Sequence, residues 1–222
     1  MTRRWFTNRP RYKAAFTTGN TYLFAPDAWT WNLPSGFTCP AATACLTYAD
    51  ERTGAITNGP QQTFKCYSAV TERFPGVRKR CWANFRAVQK KDADEVFKTL
   101  QKIWPARAQF VRIHAGGDFF SQDYFDGWLQ VCRAHPSVRF WAFTKSLTYW
   151  LARLDDIPAN LNLQASYGGR HDALIEQHGL KYALVVYSAA EAAERGLAFD
   201  TDDLMAAYGS ESFALLENFT QQ

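Results

Sequence analysis

The chain has 222 residues, of which 47% are apolar and 16% aromatic, and its formal net charge is +4. That length predicts one domain, residues 1–222, with enough apolar side chains for a sizeable core. We expect no membrane contact, because the sequence has neither a long uncharged apolar run nor a signal-peptide centre. A cytoplasmic protein is therefore predicted, and in a reducing compartment its five cysteines favour thiols or metal ligands over disulfides.

Two basic segments are candidates for contact with nucleic acid. One is an N-terminal arm, residues 1–19, and the other is the run Arg78–Arg80. In the arm, cations stand among aromatic residues, a combination that can bind phosphates and stack on bases. The alternative for the arm is an ordinary terminus that packs loosely on the domain. The basic residues of the arm are Arg3, Arg4, Arg9, Arg11 and Lys13.

In chain order, the hydrophobic pattern predicts strands that alternate with helices. The predicted strands are 21–25, 110–115, 138–144, 161–167, 182–187 and 213–216. The first predicted helix begins at 77, and the second runs from a capping box at 92 and 95 to Pro105. The third begins at 121, the fourth spans 147–154, the fifth runs from 170 to Gly179, the sixth from 188 to Gly196, and the last spans 201–208. Residues 26–66 have no helical period and hold several Pro and Gly residues, which predicts a long irregular loop.

Six strands, nearly all separated by helices, imply an α/β fold with parallel pairing and right-handed crossovers. Nearly continuous apolar strands fit a sheet that is covered on both faces. This rhythm alone suits either a partial barrel or an open doubly wound sheet.

Three cysteines lie in the irregular loop, namely Cys39, Cys45 and Cys66. Three thiolates in a loop after the first strand could bind three irons of a [4Fe–4S] cluster and leave the fourth iron open. They also suit zinc, which would need a fourth ligand such as Cys81 or His114. The alternative is that cysteines serve as small buried hydrophobic residues. That interpretation fits Cys81 and Cys132 better, because both fall on apolar helical stripes.

The predicted strand 110–115 is followed by Gly116, Gly117 and Asp118. The glycines allow a sharp turn and the close approach of another group. Asp118 places a carboxylate at the carboxyl end of the strand, which is the edge where ligands bind in α/β folds. Lys145 and Ser146 follow the next strand and would line the same pocket, where Lys145 could pair with an anionic substrate. A tight connection with an exposed aspartate is the structural alternative.

These residues resemble the radical S-adenosylmethionine (radical SAM) superfamily. Its members have a three-cysteine loop after the first strand, and an aromatic residue usually follows the third cysteine, as in Cys66-Tyr67. They also carry a Gly-Gly-Glu-like turn after the second strand, and residues 115–118, Ala-Gly-Gly-Asp, look like that turn. The present sequence differs in its long second cysteine spacing and in having Asp118 where Glu is usual.

The whole chain resembles the gene-product-88 family of bacteriophage proteins more closely. The matching stretches are Leu-Pro-Ser-Gly-Phe-Thr-Cys-Pro at 33–40, Lys-Cys-Tyr at 65–67, Gly-Asp-Phe-Phe-Ser at 117–121, Phe-Thr-Lys-Ser at 143–146 and Ser-Phe-Ala-Leu-Leu at 212–216. A phage protein would act in the cytoplasm of the host cell.

Together the resemblances imply a partial (βα)6 TIM-like barrel with the long cysteine-bearing loop after strand 1. They imply an iron–sulfur protein that starts radical chemistry on an unknown substrate. The implied ligands of a [4Fe–4S] cluster are Cys39, Cys45 and Cys66, and the implied S-adenosylmethionine site is Gly116, Gly117, Asp118, Lys145 and Ser146. Two alternatives stay open. One is a non-catalytic phage factor that binds nucleic acid or a host protein on the same barrel, with zinc or no metal. The other is a metal-free α/β enzyme that uses Asp118 and Lys145.

Overall fold

The structure is a computed structural model that describes residues 12–217. The strands within these residues are Trp29–Trp31 (β1), Thr47–Ala49 (β2), Ile56–Asn58 (β3), Phe110–Ile113 (β4), Arg139–Thr144 (β5), Leu161–Ser166 (β6), Tyr182–Val186 (β7), Ala198–Phe199 (β8) and Phe213–Leu216 (β9). The α-helices are Tyr67–Thr71 (α1), Pro75–Val88 (α2), Ala93–Lys102 (α3), Gln122–Ala134 (α4), Leu147–Leu151 (α5), Ala173–Gln177 (α6), Ala189–Glu194 (α7) and Leu204–Tyr208 (α8).

Most of the strands form one 7-stranded sheet in the order β1-β4-β5-β6-β7-β9-β8. Every pairing in this sheet is parallel. Strands that follow one another along the chain are neighbours from β4 to β7, with helices in the connections, as crossover geometry favours. The predicted α/β class with a parallel sheet is therefore confirmed, and the carboxyl ends of β1, β4, β5 and β6 lie along one edge.

Both faces of the sheet are covered. On one face, α3 and α4 pack over Val111, Phe140 and Leu163 in the larger hydrophobic core. On the other face, residues 23–28 and α8 pack against Trp141 and a smaller apolar group. Each large apolar side chain that is fully buried in these layers stabilises the fold by about 1.5–3 kcal/mol. The two layers leave the carboxyl edge of the sheet free for the cysteine-bearing segment.

The predicted first strand, 21–25, is wrong. This segment forms turns, and the first strand is β1, Trp29–Trp31. The Phe24 amide donates to the Asp202 carbonyl (2.8 Å) rather than to a strand of the sheet. The side chains of Leu23 and Ala25 fill the smaller core, so their apolar character reflects a buried turn, which composition does not distinguish from a strand.

The prediction of an irregular loop over 26–66 is also partly wrong. This range contains β1 and an antiparallel hairpin in which β2 pairs with β3. The connection of the hairpin is closed by Asp50, whose carboxylate accepts from the Thr53 amide (2.6 Å), and by Gly54, which has a φ of +77°. Strands of only three residues are too short to show alternation in the sequence, and the same holds for the unpredicted β8.

The predicted helix starts are confirmed where they depend on capping side chains. Asp92 and Glu95 form a complete capping box at α3. The hydroxyl oxygens of Ser121 and Ser188 each accept a hydrogen bond from the amide three residues further on. None of the described helices is both long enough and apolar enough to cross a membrane.

Candidate functional site

The cysteine loop, defined here as residues 32–66, begins directly after β1 and is fastened to the turn after β4. The side-chain oxygen of Asn32 accepts hydrogen bonds from the amides of Ala115 (2.8 Å) and Gly116 (3.2 Å). The Leu33 amide donates to the Gly116 carbonyl (2.9 Å). Asn84 of α2 holds the same segment by donating to the Asn32 carbonyl (3.0 Å). These bonds fix the start of the loop over the carboxyl end of β4.

The middle of the cysteine loop is fastened to the turn after β6. The amides of Thr43 and Ala44 both donate to the Gly168 carbonyl (3.0 Å each), and the Arg170 amide donates to the Ala41 carbonyl (2.8 Å). Gly168 has a φ of +94°, and a Cβ there would lie 2.8 Å from the Ala44 Cβ. The loop therefore crosses the carboxyl edge of the sheet from the β4 turn to the β6 turn.

One hydroxyl group joins two cysteines that are far apart in the sequence. Thr47 Oγ1 donates to the Cys45 carbonyl (3.1 Å) and accepts a hydrogen bond from the Cys66 amide (3.2 Å). Gln62 also donates to this hydroxyl (2.5 Å). The hairpin between Cys45 and Cys66 thus returns the chain to its starting point, which explains how a long spacing still yields a compact arrangement.

The three loop cysteines and Asp118 are close enough to interact electrostatically. Each cysteine keeps partial solvent exposure. Even so, burial raises the pKa of Cys39 well above its usual value, and Asp118, Cys66 and Cys45 raise it further. Burial also raises the pKa of Cys66 to about 11, and Cys45 adds to this effect. Without a bound cation, the thiols of Cys39 and Cys66 are therefore protonated at neutral pH.

The described residues contain no group of three His, Cys, Asp or Glu side chains that could hold one metal ion. Zn–S bonds of about 2.3 Å would draw the ligand sulfurs to within about 4 Å of each other. The thiolates that hold a [4Fe–4S] cluster bind different irons, so the two centres place different demands on these thiols.

The two glycines of the β4 turn are required by the close approach of α1 and the cysteine loop. A Cβ on Gly116 would lie 1.9 Å from Ser68 Oγ, and a Cβ on Gly117 would lie 2.6 Å from both Leu33 Cβ and Thr38 Oγ1. Gly117 also has a φ of +84°, which L side chains rarely adopt. The close approach expected from the sequence is therefore made by the protein's own backbone and side chains.

Asp118 connects the turns that follow β4 and β5. Its Oδ1 accepts hydrogen bonds from the Phe119 amide (2.7 Å) and the Thr144 hydroxyl (2.6 Å), and its Oδ2 accepts from the Lys145 amide (2.8 Å). The residue is only 5% exposed, and burial raises its pKa against the opposing effect of these bonds. Because each carboxylate oxygen can accept two bonds, Oδ2 keeps one acceptor position.

Lys145 and Ser146 lie at the same edge, and their polar atoms are bonded to the protein. Lys145 Nζ donates to Ser166 Oγ (2.6 Å), the Ser166 carbonyl (3.2 Å) and the Tyr167 carbonyl (2.8 Å). Ser146 Oγ donates to the Phe119 carbonyl (2.6 Å). An ammonium group has three hydrogens to donate, so an anionic ligand of Lys145 would have to replace one of these bonds.

The other candidate ligands are buried side chains. Cys81 and Cys132 are buried in α2 and α4, as their helical stripes predict. His114 is buried, and its Nε2 is 2.8 Å from the Tyr124 hydroxyl. Burial lowers the pKa of His114 to about 3, so its imidazole is neutral and engaged with Tyr124. None of these side chains interacts electrostatically with Cys39 or Cys66 strongly enough to shift their pKa.

A group of polar side chains on the face of the sheet that α8 covers was missed by sequence reasoning. The Tyr67 hydroxyl donates to the Ala115 carbonyl (2.5 Å), and Arg112 forms an ion pair with Asp203 (3.1 Å). Asp203 also accepts a hydrogen bond from the Trp141 indole (2.8 Å). The alternation of Arg112 with the buried Val111 and Ile113 places it on the opposite face of β4, and this is the signal that the sequence offers.

A buried carboxylate behind the cysteine loop was also missed. Glu72 is fully buried, and its Oε1 accepts a hydrogen bond from the Ser35 amide (2.8 Å). Its Oε2 and the Ser35 hydroxyl have no hydrogen-bond partner among the described residues. Burial raises the pKa of Glu72 to about 7, although Ser35 and Arg78 oppose the shift. No spacing signal in the sequence separates this glutamate from a solvated one.

The basic segments differ from their sequence-based description. Residues 3–11 of the arm lie outside the described residues. Arg78 is buried, and its guanidinium donates to the carbonyls of Glu51 (3.0 Å), Glu72 (2.7 Å) and Arg73 (2.9 Å). Arg78 therefore joins α2 to the hairpin region and is not part of an exposed basic surface. Lys79 remains exposed.

Replacing Asp118 by Asn tests its role as a connection between turns. The amide nitrogen of Asn at the Oδ2 position would face the Lys145 amide, which is also a donor, so a buried hydrogen bond is lost. We expect Asp118→Asn to lower the free energy of unfolding by about 1–3 kcal/mol. Asp155→Asn, at an exposed position, is the control in urea titrations. Unchanged stability of Asp118→Asn would show that the carboxylate does not hold the turns together.

Glu72 makes stability depend on pH. Its pKa is raised from 4.5 to about 7 in the folded chain, so the folded state holds a proton that the unfolded state releases between these values. Wild-type stability therefore falls as pH rises through this range, and Glu72→Gln does not share that loss. From about pH 5 to about pH 8, we expect Glu72→Gln to gain up to about 3 kcal/mol relative to wild type in urea titrations.

The control for this prediction is Glu194→Gln, because Glu194 is exposed on α7. A difference between Glu72→Gln and wild type that stays constant across the pH range would contradict the raised pKa.

Comparison with known proteins identifies the family. The family model described as Gene product 88 matches residues 5–220. The Gene 88 protein of Mycobacterium phage L5 is 31% identical over 134 residues, which make up 52% of this chain and 47% of the relative. The match thus spans about half the length of that phage protein, and no solved structure matches the chain. The radical SAM superfamily is absent from these matches and stays a prediction. Because the family model covers nearly the whole sequence, the chain belongs to the gene product 88 family.

Proposed function

We propose that this protein is an iron–sulfur protein that holds a [4Fe–4S] cluster through Cys39, Cys45 and Cys66. The observation that carries the proposal is the convergence of these three thiols beside Asp118. They come from distant parts of one loop, yet Cys66 and Cys45 both raise the pKa of Cys39, and Cys45 raises the pKa of Cys66. Buried thiols that repel one another when ionised are stabilised as thiolates by a bound metal centre.

The residues of the site would hold and shield such a cluster. The loop is fixed at both ends of the carboxyl edge by its bonds to Gly116 and Gly168, so the ligands are placed before binding. Each thiol loses its proton when it binds as a thiolate, so binding is favoured at higher pH. A reduced [4Fe–4S] centre supplies one-electron chemistry, while the protein supplies position, burial and electrostatics.

The resemblance to radical SAM proteins extends the proposal to S-adenosylmethionine. A cluster on three cysteines leaves one iron open, which would take the amino and carboxylate groups of the methionine moiety. Asp118 could accept from that amino group with the remaining acceptor position on Oδ2. Gly116, Gly117, Lys145 and Ser146 would act mainly by shaping the edge, since their described contacts are to the protein.

We also propose that the sheet curves into a partial barrel. From β1 to β9 the order β1-β4-β5-β6-β7-β9 follows the chain without reversal, and only the two-residue β8 lies out of order, beyond β9. An open doubly wound sheet reverses its strand order at a switch point, where the ligand binds. The unreversed order, with one face covered by α3 and α4 and the other by a short plug from residues 23–28 and α8, favours a (βα)6 arrangement.

The alternative is a binding factor on the same scaffold with zinc or without metal. Among residues 12–217 no group is suited to one metal ion, so the described site gives the zinc version no support of its own. In a metal-free version the three thiols would serve only as packed core side chains. The partial exposure of all three does not favour that role.

The proposal is tested by the metal content and visible spectrum of protein purified under strict anaerobiosis. We expect about four irons per chain and a broad brown absorbance. Single replacements of Cys39, Cys45 and Cys66 by Ala should each lose iron. Cys132→Ala, which removes a buried thiol from α4, is the matched control and should keep it. Iron retained in all three loop variants, or zinc in its place, would contradict the proposal.

A further inference from the structure

The surface of α2 concentrates positive charge. In residues 65–91, with both ends counted, eight residues are Lys or Arg, and Glu72 is the only acidic residue. Glu72 and Arg78 are buried, so the accessible charge of residues 65–91 is positive, and the exposed Glu51 adds one acidic group beside it through its ion pair with Arg86. The whole chain has a net charge of only +4, and the rest of the sequence is therefore net acidic. This asymmetry gives α2 a strong local field that attracts anions.

Aromatic rings lie among these cations. Phe37 of the cysteine loop is 48% exposed, and its ring centroid is 5.1 Å from that of Trp82. The Arg86 guanidinium lies over the Trp82 ring (5.5 Å). At the other end of the helix, Lys79 Nζ lies over the ring of Tyr12 (5.6 Å), which is 39% exposed. Rings and cations therefore alternate along one surface.

Helical spacing makes this surface continuous. Lys79, Trp82 and Arg86 are separated by three and four residues, so their side chains share one face of α2. Phe37 extends that face toward Cys39, two residues further along the loop. We call the surface formed by Phe37, Lys79, Trp82 and Arg86 the α2 surface. Arg86 is paired with the exposed Glu51, an exposed ion pair that costs little to exchange for a phosphate.

From this arrangement we propose that the α2 surface binds single-stranded nucleic acid. Lys79 and Arg86 contact phosphates, and Phe37 with the edge of Trp82 provides a platform on which an unpaired base stacks. A duplex offers phosphates but keeps its bases stacked within the helix, so the aromatic part of the surface favours a single strand. An acidic protein would satisfy the cations and leave Phe37 without a matching partner.

The inference does not require a cluster, because all four residues of the α2 surface lie outside the proposed ligand set. It does place a bound strand beside the cysteine loop. If the proposed function is correct, single-stranded nucleic acid becomes the substrate class that this surface would deliver to the site.

The test is the affinity of the full-length protein for fluorescent oligothymidylate and oligouridylate of about 16 nucleotides, measured by anisotropy across a salt series. We expect binding that weakens linearly with the logarithm of salt concentration, with a slope of about −1.4 or steeper. Comparison of the two probes decides between DNA and RNA. A duplex of the same length should bind at least several-fold more weakly.

Two variants separate the parts of the α2 surface. Removing both cations in Lys79→Gln/Arg86→Gln should reduce the magnitude of the salt slope by about 1.4, because each lost phosphate contact contributes about 0.7. Phe37→Ala should weaken binding by about 5-fold or more and leave the slope unchanged, because it removes stacking and no charge. The matched control, Lys98→Gln/Lys102→Gln, removes the same charge from the exposed face of α3.

The inference is overturned if no oligonucleotide binds at low salt, if the α3 control weakens binding as much as the α2 variant, or if the duplex binds as tightly as the single strand. Equal competition by polyglutamate would show a general polyanion surface and would also overturn it. Iron content, measured on each variant, shows separately whether the cysteine site is intact, so failure of this inference and failure of the proposed cluster are distinguishable.

Discussion

The hydrogen bonds between Asn32 and the amides of Ala115 and Gly116 hold the cysteine loop against the sheet, and the rest of the carboxyl edge depends on that contact. The loop can approach so closely because Gly116 and Gly117 carry no Cβ. Asp118 follows at once, and its position beyond the glycines lets it reach Thr144 and the Lys145 amide. One turn therefore positions the loop on one side and the end of β5 on the other.

The polar groups at the carboxyl edge of the sheet are therefore held in place, and most of their hydrogen bonds are made within the protein. Lys145 and Ser146, which the sequence predicted to bind a cofactor, donate their hydrogen bonds to Ser166 and to the Phe119 carbonyl. Near the cysteine loop, the Ser35 hydroxyl and Glu72 Oε2 have no hydrogen-bond partner among the described residues, and the ionised forms of the loop thiols would repel one another. The proposed cluster would take the three thiolates and would need no other polar group of this edge.

The sequence predicts features that depend on local chemistry. The alternation of strands and helices, the capping box of Asp92 and the burial of Cys132 all follow from periodicity or from residues three or four apart. The first strand is misplaced because the buried turn around Phe24 has the composition of a strand. The convergence of Cys45 with Cys66 depends on a hairpin of very short strands and on Thr47, neither of which leaves a periodic signal. The burial of Arg78 is likewise decided by carbonyl groups from distant parts of the chain.

Positive charge is concentrated in residues 65–91, which include α2, although the net charge of the whole chain is only +4. The aspartates Asp200 and Asp203 are buried near α8, which packs on the central strands β5 and β6. Asp203 there forms an ion pair with Arg112, which lies on the face of the sheet that α8 covers.

Residue-resolved alkylation of the anaerobically purified protein tests the central claim most directly. Mass spectrometry would compare the labelling of each cysteine before and after iron is removed with a chelator. If the three loop thiols hold one cluster, Cys39, Cys45 and Cys66 are protected together and become labelled together on chelation, while Cys81 and Cys132 react only after unfolding. Immediate labelling of the loop cysteines in the untreated protein, or protection that chelation does not remove, would contradict the account.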